Sequence, residues 1–489
     1  MSAPWQKDGY EAVIGLEIHV QLSTLSKMFC SCPNRFGDAP NTNTCMVCLA
    51  YPGALPVANA EAVRQATRVG LALGCTIPDA SEFSRKQYFY PDSPKAYQIS
   101  QYDQPMCGEG VFVVPGADGF SVRLTRAHLE EDAAKMIHAG GDAGRISGSA
   151  GSVVDFNRGG TPLLEIVTEP DLRSPEDARR FLTLLRATVI AIGASDCDME
   201  KGSLRADGNV SIRPIGSTEY GTKTELKNMN SFRFLERGIE AELERQVRIV
   251  TGGGVVEQET LHFDPASGAL SSLRSKEQAH DYRYFPEPDL LPVRQDRSQL
   301  ERLADGLPEL PAARFERLVD AGLTEPTALA LAIDTELAAY LGELADRTGD
   351  LRSSANWVMG ELSAHLNAAG ISAAASPVTP ERLAGLVALV AAGTINQTAA
   401  KEVFGVLVDD AAAVAATVVD QRSLAAVADD DALLAIIDAV LAANPAEVEA
   451  FRGGRQQVIG FLVGQCMKQS GGRADAKALQ GLLRDRLAS

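Results

Sequence analysis

Long apolar runs are missing from this 489-residue chain. No stretch of about 18 hydrophobic residues occurs, and no basic-plus-apolar leader opens the sequence, so a cytoplasmic protein without membrane contact is expected. The commonest nucleotide-binding signatures are missing too: there is no G-x-x-x-x-G-K-[ST] loop and no G-x-G-x-x-G following a strand. Any nucleotide must therefore sit on a less common scaffold. No Ser-His-Asp set or activated cysteine nucleophile stands out, which argues against covalent catalysis through a side chain. Positive charge is short, with 46 Lys and Arg against 64 Asp and Glu and a net charge of −18. Each phosphate contact needs a local cation, so nucleic acid can be met only through patches.

Cysteine is scarce and clustered. The eight cysteines stand at 30, 32, 45, 48, 75, 107, 197 and 466, unlike the spread framework of a disulfide-rich secreted domain. Cys30, Cys32, Cys45 and Cys48 form two close pairs within one loop. Four thiolates so paired suit tetrahedral Zn²⁺ with no open position, a structural site. The alternative is four unlinked core cysteines.

Just before this loop, Val13 to Leu22 reads VIGLEIHVQL. Ile14, Leu16, Ile18, Val20 and Leu22 alternate with Glu17, His19 and Gln21, the period of a half-buried strand with its polar face turned one way. A polar strand face is ordinarily only wet. Further on, strand-like FSVRLTRAHL leads into Glu130-Glu131-Asp132, and acidic triplets are normally solvated surface. TPLLEIVTEPD differs, because Glu165 lies among Leu163, Leu164, Ile166 and Val167 and a buried carboxylate demands a partner. Together Glu17, His19, Glu131 and Glu165 offer three carboxylates and an imidazole, a set suited to Mg²⁺ with phosphate and water completing its shell. Spacing alone does not bring them together.

The length suggests about three domains. Residues 1–300 read as an α+β catalytic body, with helices starting after Asn59, Ser174 and Ser231. Beyond about Leu307 the chain turns Ala- and Leu-rich and helical, with starts at Pro311, Thr324, Ser353, Thr379 and Asn396. Ser372 to Pro377 reads as a linker between a helical domain, 301–376, and a helical C-terminal tail domain, 377–489, where Arg452, Arg455, Lys468, Arg473 and Lys477 gather near glycines.

IGLEIHVQL, KMFCSCPN, NTNTCMVCLAYPGALPV, RKQYFYPDSPKAYQISQYDQP, HLEEDAAK, GTPLLEIVTEPD, KGSLRADGNVSIRP, GTKTELKNMNSF, DYRYFPEPDLLP and GFLVGQCMKQSGG together closely resemble the B-subunit family of tRNA-dependent amidotransferases. The resemblance implies a cradle-like catalytic body, then a helical domain and a tail that grips tRNA. It implies an ATP-dependent kinase that phosphorylates the side-chain carboxylate of Glu-tRNA(Gln) or Asp-tRNA(Asn) for attack by glutamine-derived ammonia. The Mg²⁺ ligands it implies would be Glu17, His19, Glu131 and Glu165; as the cations that clamp phosphate oxygens we expect Lys86, Arg158 and Lys227, a choice of our own that the resemblance does not supply. The zinc cysteines occur in only part of the family, and all four are present here. Partners would be an amidase-like A subunit, a small C subunit and misacylated tRNA. Two rivals remain open: a zinc-dependent RNA-binding adaptor, and a metal-dependent phosphoesterase that uses water as acceptor.

Overall fold

The computed structural model describes residues 3–139, 149–227, 229–275, 279–426 and 430–488. The chain divides into two compact units, Met1–Arg317 and Leu318–Ser489. In chain order the strands of the first are β1 (Gln6–Lys7), β2 (Tyr10–Gln21), β3 (Ala80–Ser81), β4 (Ser84–Gln87), β5 (Tyr97–Ser100), β6 (Gly110–Val114), β7 (Phe120–Glu131), β8 (Lys135–Ala139), β9 (Gly151–Asp155), β10 (Pro162–Thr168), β11 (Leu204–Pro214), β12 (Thr224–Lys227), β13 (Glu259–Phe263), β14 (Leu270–Ser275), β15 (Phe285–Pro286) and β16 (Val293–Arg294). Nine of them make one sheet in the order β14-β13-β12-β11-β2-β10-β7-β6, with β1 paired to β2. Its pairs are antiparallel except β12 with β13.

Alternation along β2 divides the faces as the sequence predicts. Leu16, Ile18 and Val20 are buried, as are Ala206 and Val210 on β11, Leu164 and Ile166 on β10, and Ala127 and Leu129 on β7. Helices α2 (Pro175–Ala191) and α3 (Phe232–Thr251) cover this apolar face. Phe181 of α2 meets Phe112 of β6 edge to face, and a side chain at Gly208 would meet Ile239 of α3. Burying such large side chains contributes roughly 1.5–3 kcal/mol each, so the helices hold the sheet from one side and leave the other for polar groups.

The helix starts follow from their caps. Asn59 accepts from the amides of Glu61 and Ala62 at the head of α1 (Ala60–Ala72). Ser174 and Ser231 do the same for the amides of Asp177 and Phe234. Pro311 opens a helix as expected, and in the second unit Thr379 and Asn396 cap theirs. The helix expected at Ser353 begins earlier, at Leu351, because Asp350 accepts the Ser353 amide and is the cap.

Ser372 to Pro377 is not an open linker. Ala373–Ala375 form a 3₁₀ turn, Glu336 accepts the Ala374 amide at 3.1 Å, and the Tyr340 hydroxyl donates to the Val378 carbonyl at 2.7 Å. The last hundred residues still carry a core of their own, built on Leu433, Ile437, Leu462, Leu479 and Leu483. The Lys477 side chain lies outside the described residues.

Candidate active site and metal centre

Strand register builds the site on the face that α2 and α3 leave open. Directly paired residues share a face in an antiparallel sheet. Arg205 of β11 pairs with His19 of β2, His19 with Glu165 of β10, and Glu165 with His128 of β7. The next row joins Asp207, Glu17, Val167 and Arg126. Four strands far apart in sequence thus present one polar strip.

Within the strip His19 Nε2 lies 3.4 Å from Glu165 Oε2 and 3.7 Å from Glu130 Oε1. His128 Nε2 is 3.6 Å from Glu165. One ligand atom from each of His19, Glu130 and Glu165 falls within 4.8 Å of the others, a group that could hold a metal ion. The charge states agree with such a role. Burial pulls Glu165 upward, but His128, His19 and Lys86 outweigh it and hold its carboxyl well below the usual range. Burial raises Glu130, and the neighbouring Glu165 charge adds to the effect. Burial lowers His19, yet Glu165 and Glu130 carry it above the ordinary value, while buried His128 is pushed down to about 4. Two close carboxylates with one reluctant to ionise are what a divalent cation would stabilise.

The placement separates the residues picked out from sequence. His19 and Glu165 come together. Glu131 does not join them, because alternation from His128 puts Glu130 on the site face and Glu131 off it. There Glu131 pairs with Lys95 and accepts the Ile99 amide at 3.0 Å. Glu17 shares the face, but it accepts from Asn209 Nδ2 at 2.9 Å and lies outside the three-ligand group. The acidic triplet is buried rather than solvated. Asp132 at its end accepts from Gln21 at 2.7 Å and Arg205 at 2.8 Å.

Of the three expected cations, Lys86 sits above the Tyr282 ring at 4.8 Å, and the Glu130 and Glu165 charges raise its ammonium against the effect of burial. Lys227 is held by Asp207 at 2.6 Å and Glu225 at 3.2 Å. Arg158 is turned away from the cluster, because its guanidinium donates to the carbonyls of Ala133 and Ala134, both at 2.9 Å. Arg205 stands nearer. Sequence reasoning missed Glu130, His128, Arg205 and Lys95 as site residues; alternation in HLE was a usable signal for the first two, whereas the last two depend on pairing between distant segments.

Two adjoining cavities open on the strip, and His19, Lys86 and Tyr282 line both. One, of about 310 Å³, runs past Glu17, Glu165 and Lys227 to Tyr102 and Tyr284, whose rings stack 4.4 Å apart. The other, of about 210 Å³, is walled by Lys95, Glu130, Glu131, Gly160, Arg205 and Cys48.

Cys48 belongs to a second group. The sulfurs of Cys30, Cys32, Cys45 and Cys48 all lie within 4.8 Å of one another, so this loop too could hold a metal. Cys45 Sγ and Cys48 Sγ are 3.9 Å apart, close to the ~3.8 Å that tetrahedral Zn–S bonds of about 2.3 Å require. A hydrogen bond from Cys30 brings the Cys48 thiol down to about 5, while burial takes Cys32 up to about 11. One thiolate is thus sharing protons that a metal would replace.

Comparison with known proteins identifies the family. Residues 12–301 match the GatB/GatE catalytic domain and residues 339–487 the GatB domain. The chain is 48% identical over 480 residues to the aspartyl/glutamyl-tRNA(Asn/Gln) amidotransferase B subunit of Chlorobaculum tepidum, covering 98% of this chain and 99% of the relative. It is 48% identical over 481 residues to the protein of the same name from Moorella thermoacetica, covering 98% and 100%. The chain therefore belongs to the B-subunit family of aspartyl/glutamyl-tRNA(Asn/Gln) amidotransferases, one component of an enzyme complex that amidates aminoacyl-tRNA for translation.

Proposed function

We propose that the open face of the sheet is where ATP activates the side-chain carboxylate of Glu-tRNA(Gln) or Asp-tRNA(Asn) and ammonia replaces the phosphate. The observation that carries this reading is the His19–Glu130–Glu165 group beside Lys86, at the junction of two cavities. A carboxylate resists ammonia because oxide is too poor a leaving group. Transfer of the γ-phosphoryl group makes an acyl phosphate and releases ADP; ammonia then forms the C–N bond as phosphate departs.

Phosphoryl transfer asks mainly for positioning and charge neutralisation. Mg²⁺, when held by His19, Glu130 and Glu165, would supply Lewis-acid charge against phosphate oxygens. The other steps belong to the chain's own groups. Lys86 faces both cavities and offsets charge developing between them. Lys227, fixed by Asp207 and Glu225, lines the larger cavity and is the cation for the nucleotide there. Arg205, clamped by Asp132, stands in the smaller cavity as the cation for the acyl carboxylate. His19 and Lys86 keep Glu165 in its ionised form. Asn209 orients Glu17, which takes part through the wider strip.

Zn²⁺ on the cysteine quartet would stabilise the wall that carries Cys48 into the smaller cavity. Residues 377–489 form the tRNA-gripping tail, and 301–376 the helical link to the catalytic body. The protein works in the cytoplasm with an amidase-like A subunit that releases ammonia and a small C subunit. Among the described residues no helix is long and apolar enough to cross a membrane. An RNA-binding adaptor has no use for two carboxylates held beside His19 in a cavity wall, which favours the enzyme. The test is transamidation by the reconstituted complex with ATP, Mg²⁺ and ammonium chloride. Glu165→Ala should abolish amide formation while tRNA still binds; full activity in that variant would remove the cluster from the mechanism, and ATP hydrolysis without tRNA would favour a phosphoesterase.

A further inference from the structure

One buried charge has no part in the reaction site. Lys27, between β2 and the cysteine loop, is 0% exposed. A lysine at such depth ordinarily faces an anion, because an unpaired ammonium is costly away from water. Lys27 has no carboxylate to face. Its ammonium donates to the Phe156 carbonyl at 3.0 Å, and among the described residues it makes no ion pair with Asp or Glu. A carbonyl dipole satisfies one N–H and leaves the charge uncompensated.

The groups around it are the cysteines. The Lys27 amide donates to the Cys32 carbonyl at 3.0 Å, which ties its backbone to the first cysteine pair. Its side chain lies by the second pair: a methyl group on Gly160 would meet Lys27 Cδ at 3.3 Å and Cys48 Cβ at 3.9 Å, so lysine and cysteine pack against the same glycine. Gly160 and Cys48 both wall the smaller reaction cavity. A hydrogen bond from Cys30 does most to draw Cys48 towards thiolate, and the Lys27 charge adds to it. Other cations near the loop are engaged, Arg35 by Asp38 at 3.1 Å and Lys95 by Glu131. Four thiolates around Zn²⁺ carry negative charge in excess, and that excess is stabilised by a cation buried beside it.

We infer that Lys27 is the counter-ion of the metal-loaded cysteine quartet and the brace between that quartet and the reaction-cavity wall at residues 156–160. The inference rests on the reading of the quartet as a zinc site. With metal bound, ammonium and thiolates offset each other out of water. Without it the thiols retain protons, and the ammonium is left buried with too little negative charge opposite. Loss of metal then reaches the cavity wall through the Phe156 carbonyl, and through the Met28 amide, which donates to the Gly160 carbonyl at 2.7 Å.

The test is zinc affinity of the full-length chain in its reconstituted complex, by competition with a chromogenic chelator, for wild type, Lys27→Met and Lys27→Gln. Methionine removes charge and donor; glutamine removes the charge and keeps an N–H for the Phe156 carbonyl. Both variants should bind zinc at least about tenfold more weakly, the scale of a residue that supports a metal site without ligating it. In excess chelator both should unfold at no lower urea concentration than wild type, because the stranded charge is gone. Hydrogen exchange at the Met28 amide of wild type should rise on zinc removal, and should rise less in either variant. Unchanged zinc affinity in both variants would overturn the inference, as would Met28 exchange in wild type that ignores zinc. A loss confined to Lys27→Met would overturn it by assigning the effect to the hydrogen bond, and equal losses of stability with and without zinc would reduce Lys27 to a core residue. Wild-type complex that takes up no zinc would refute the metal site itself, a failure distinct from zinc that binds equally well in all three proteins.

Discussion

Adjacent glutamates of one strand make the sharpest comparison. Glu130 and Glu131 are both buried, but they face different partners: Glu130 looks at His19 and accepts from Ser100 Oγ at 3.2 Å, whereas Glu131 holds Lys95 and the Ile99 amide. Glu130→Gln removes a charge that burial and Glu165 already oppose, and an amide oxygen can still accept from Ser100. Stability should be unchanged or slightly higher, while divalent-cation affinity falls. Even residues that only support a metal ligand are worth about tenfold or more in affinity, so the loss of a ligand carboxylate should exceed that. Glu131→Gln breaks an ion pair whose side chains are only 9% and 13% exposed, leaving an uncompensated ammonium at a cost of about 3 kcal/mol. That is about a hundredfold in a local opening equilibrium. Mn²⁺ binding followed by electron paramagnetic resonance reads the first effect, and hydrogen exchange at the Ile99 amide the second. Glu130→Gln should shift the Mn²⁺ midpoint with Ile99 still protected; Glu131→Gln should do the reverse. An equal midpoint shift in both variants would refute the face assignment on which the site is built.

Other outcomes follow from the same geometry. His128 titrates at about 4 in the folded chain against 6.5 as a free group, so below pH 6.5 the unfolded state takes up a proton that the native state declines. Its contribution is intact above pH 6.5 and about 3 kcal/mol is lost as pH falls towards 4. In a chelator, urea unfolding of His128→Gln should therefore depend less on pH over that window than wild type; parallel curves would contradict a neutral buried imidazole. Removal of zinc, or Cys48→Ser, should expose the Asn34–Cys48 loop to protease, measured beside metal content by mass spectrometry. Protein purified with no bound zinc and a protease-resistant loop would argue against the metal. Deletion of 377–489 should raise KM for aminoacyl-tRNA far more than KM for ATP, and equal effects on both would count against a tRNA-binding tail.

Much of this protein was readable along the chain because the physical cause was local. Alternation in VIGLEIHVQL assigns Glu17 and His19 to one face, since side chains along a strand repeat every two residues whatever the partner. Caps at Asn59, Ser174 and Ser231 lie within three residues of the amides they satisfy, so their helices start where sequence says. Cys30, Cys32, Cys45 and Cys48 converge because one short loop carries them all. Local rules fail where a neighbour supplied by another segment decides. Ser353 lost its cap position to Asp350, a residue with the same chemistry three places earlier. Ser372 to Pro377 looked like a linker by composition, yet Tyr340 and Glu336 hold it in place.

The reacting group itself depended on register. Glu165 needs a partner on any reading, but only pairing of β10 with β2 on one side and β7 on the other makes those partners His19 and His128. Pairing of β11 with β2 brings Arg205 beside His19, while alternation along β7 puts Glu130 and Glu131 on opposite faces. Arg158 shows the converse: a cation close to the site in sequence is engaged by two backbone carbonyls and does not enter the cluster. Local side-chain period set which residues could be polar and inward-facing; the long-range hydrogen-bond ladder, selected by burial of the opposite face under α2 and α3, decided which of them meet.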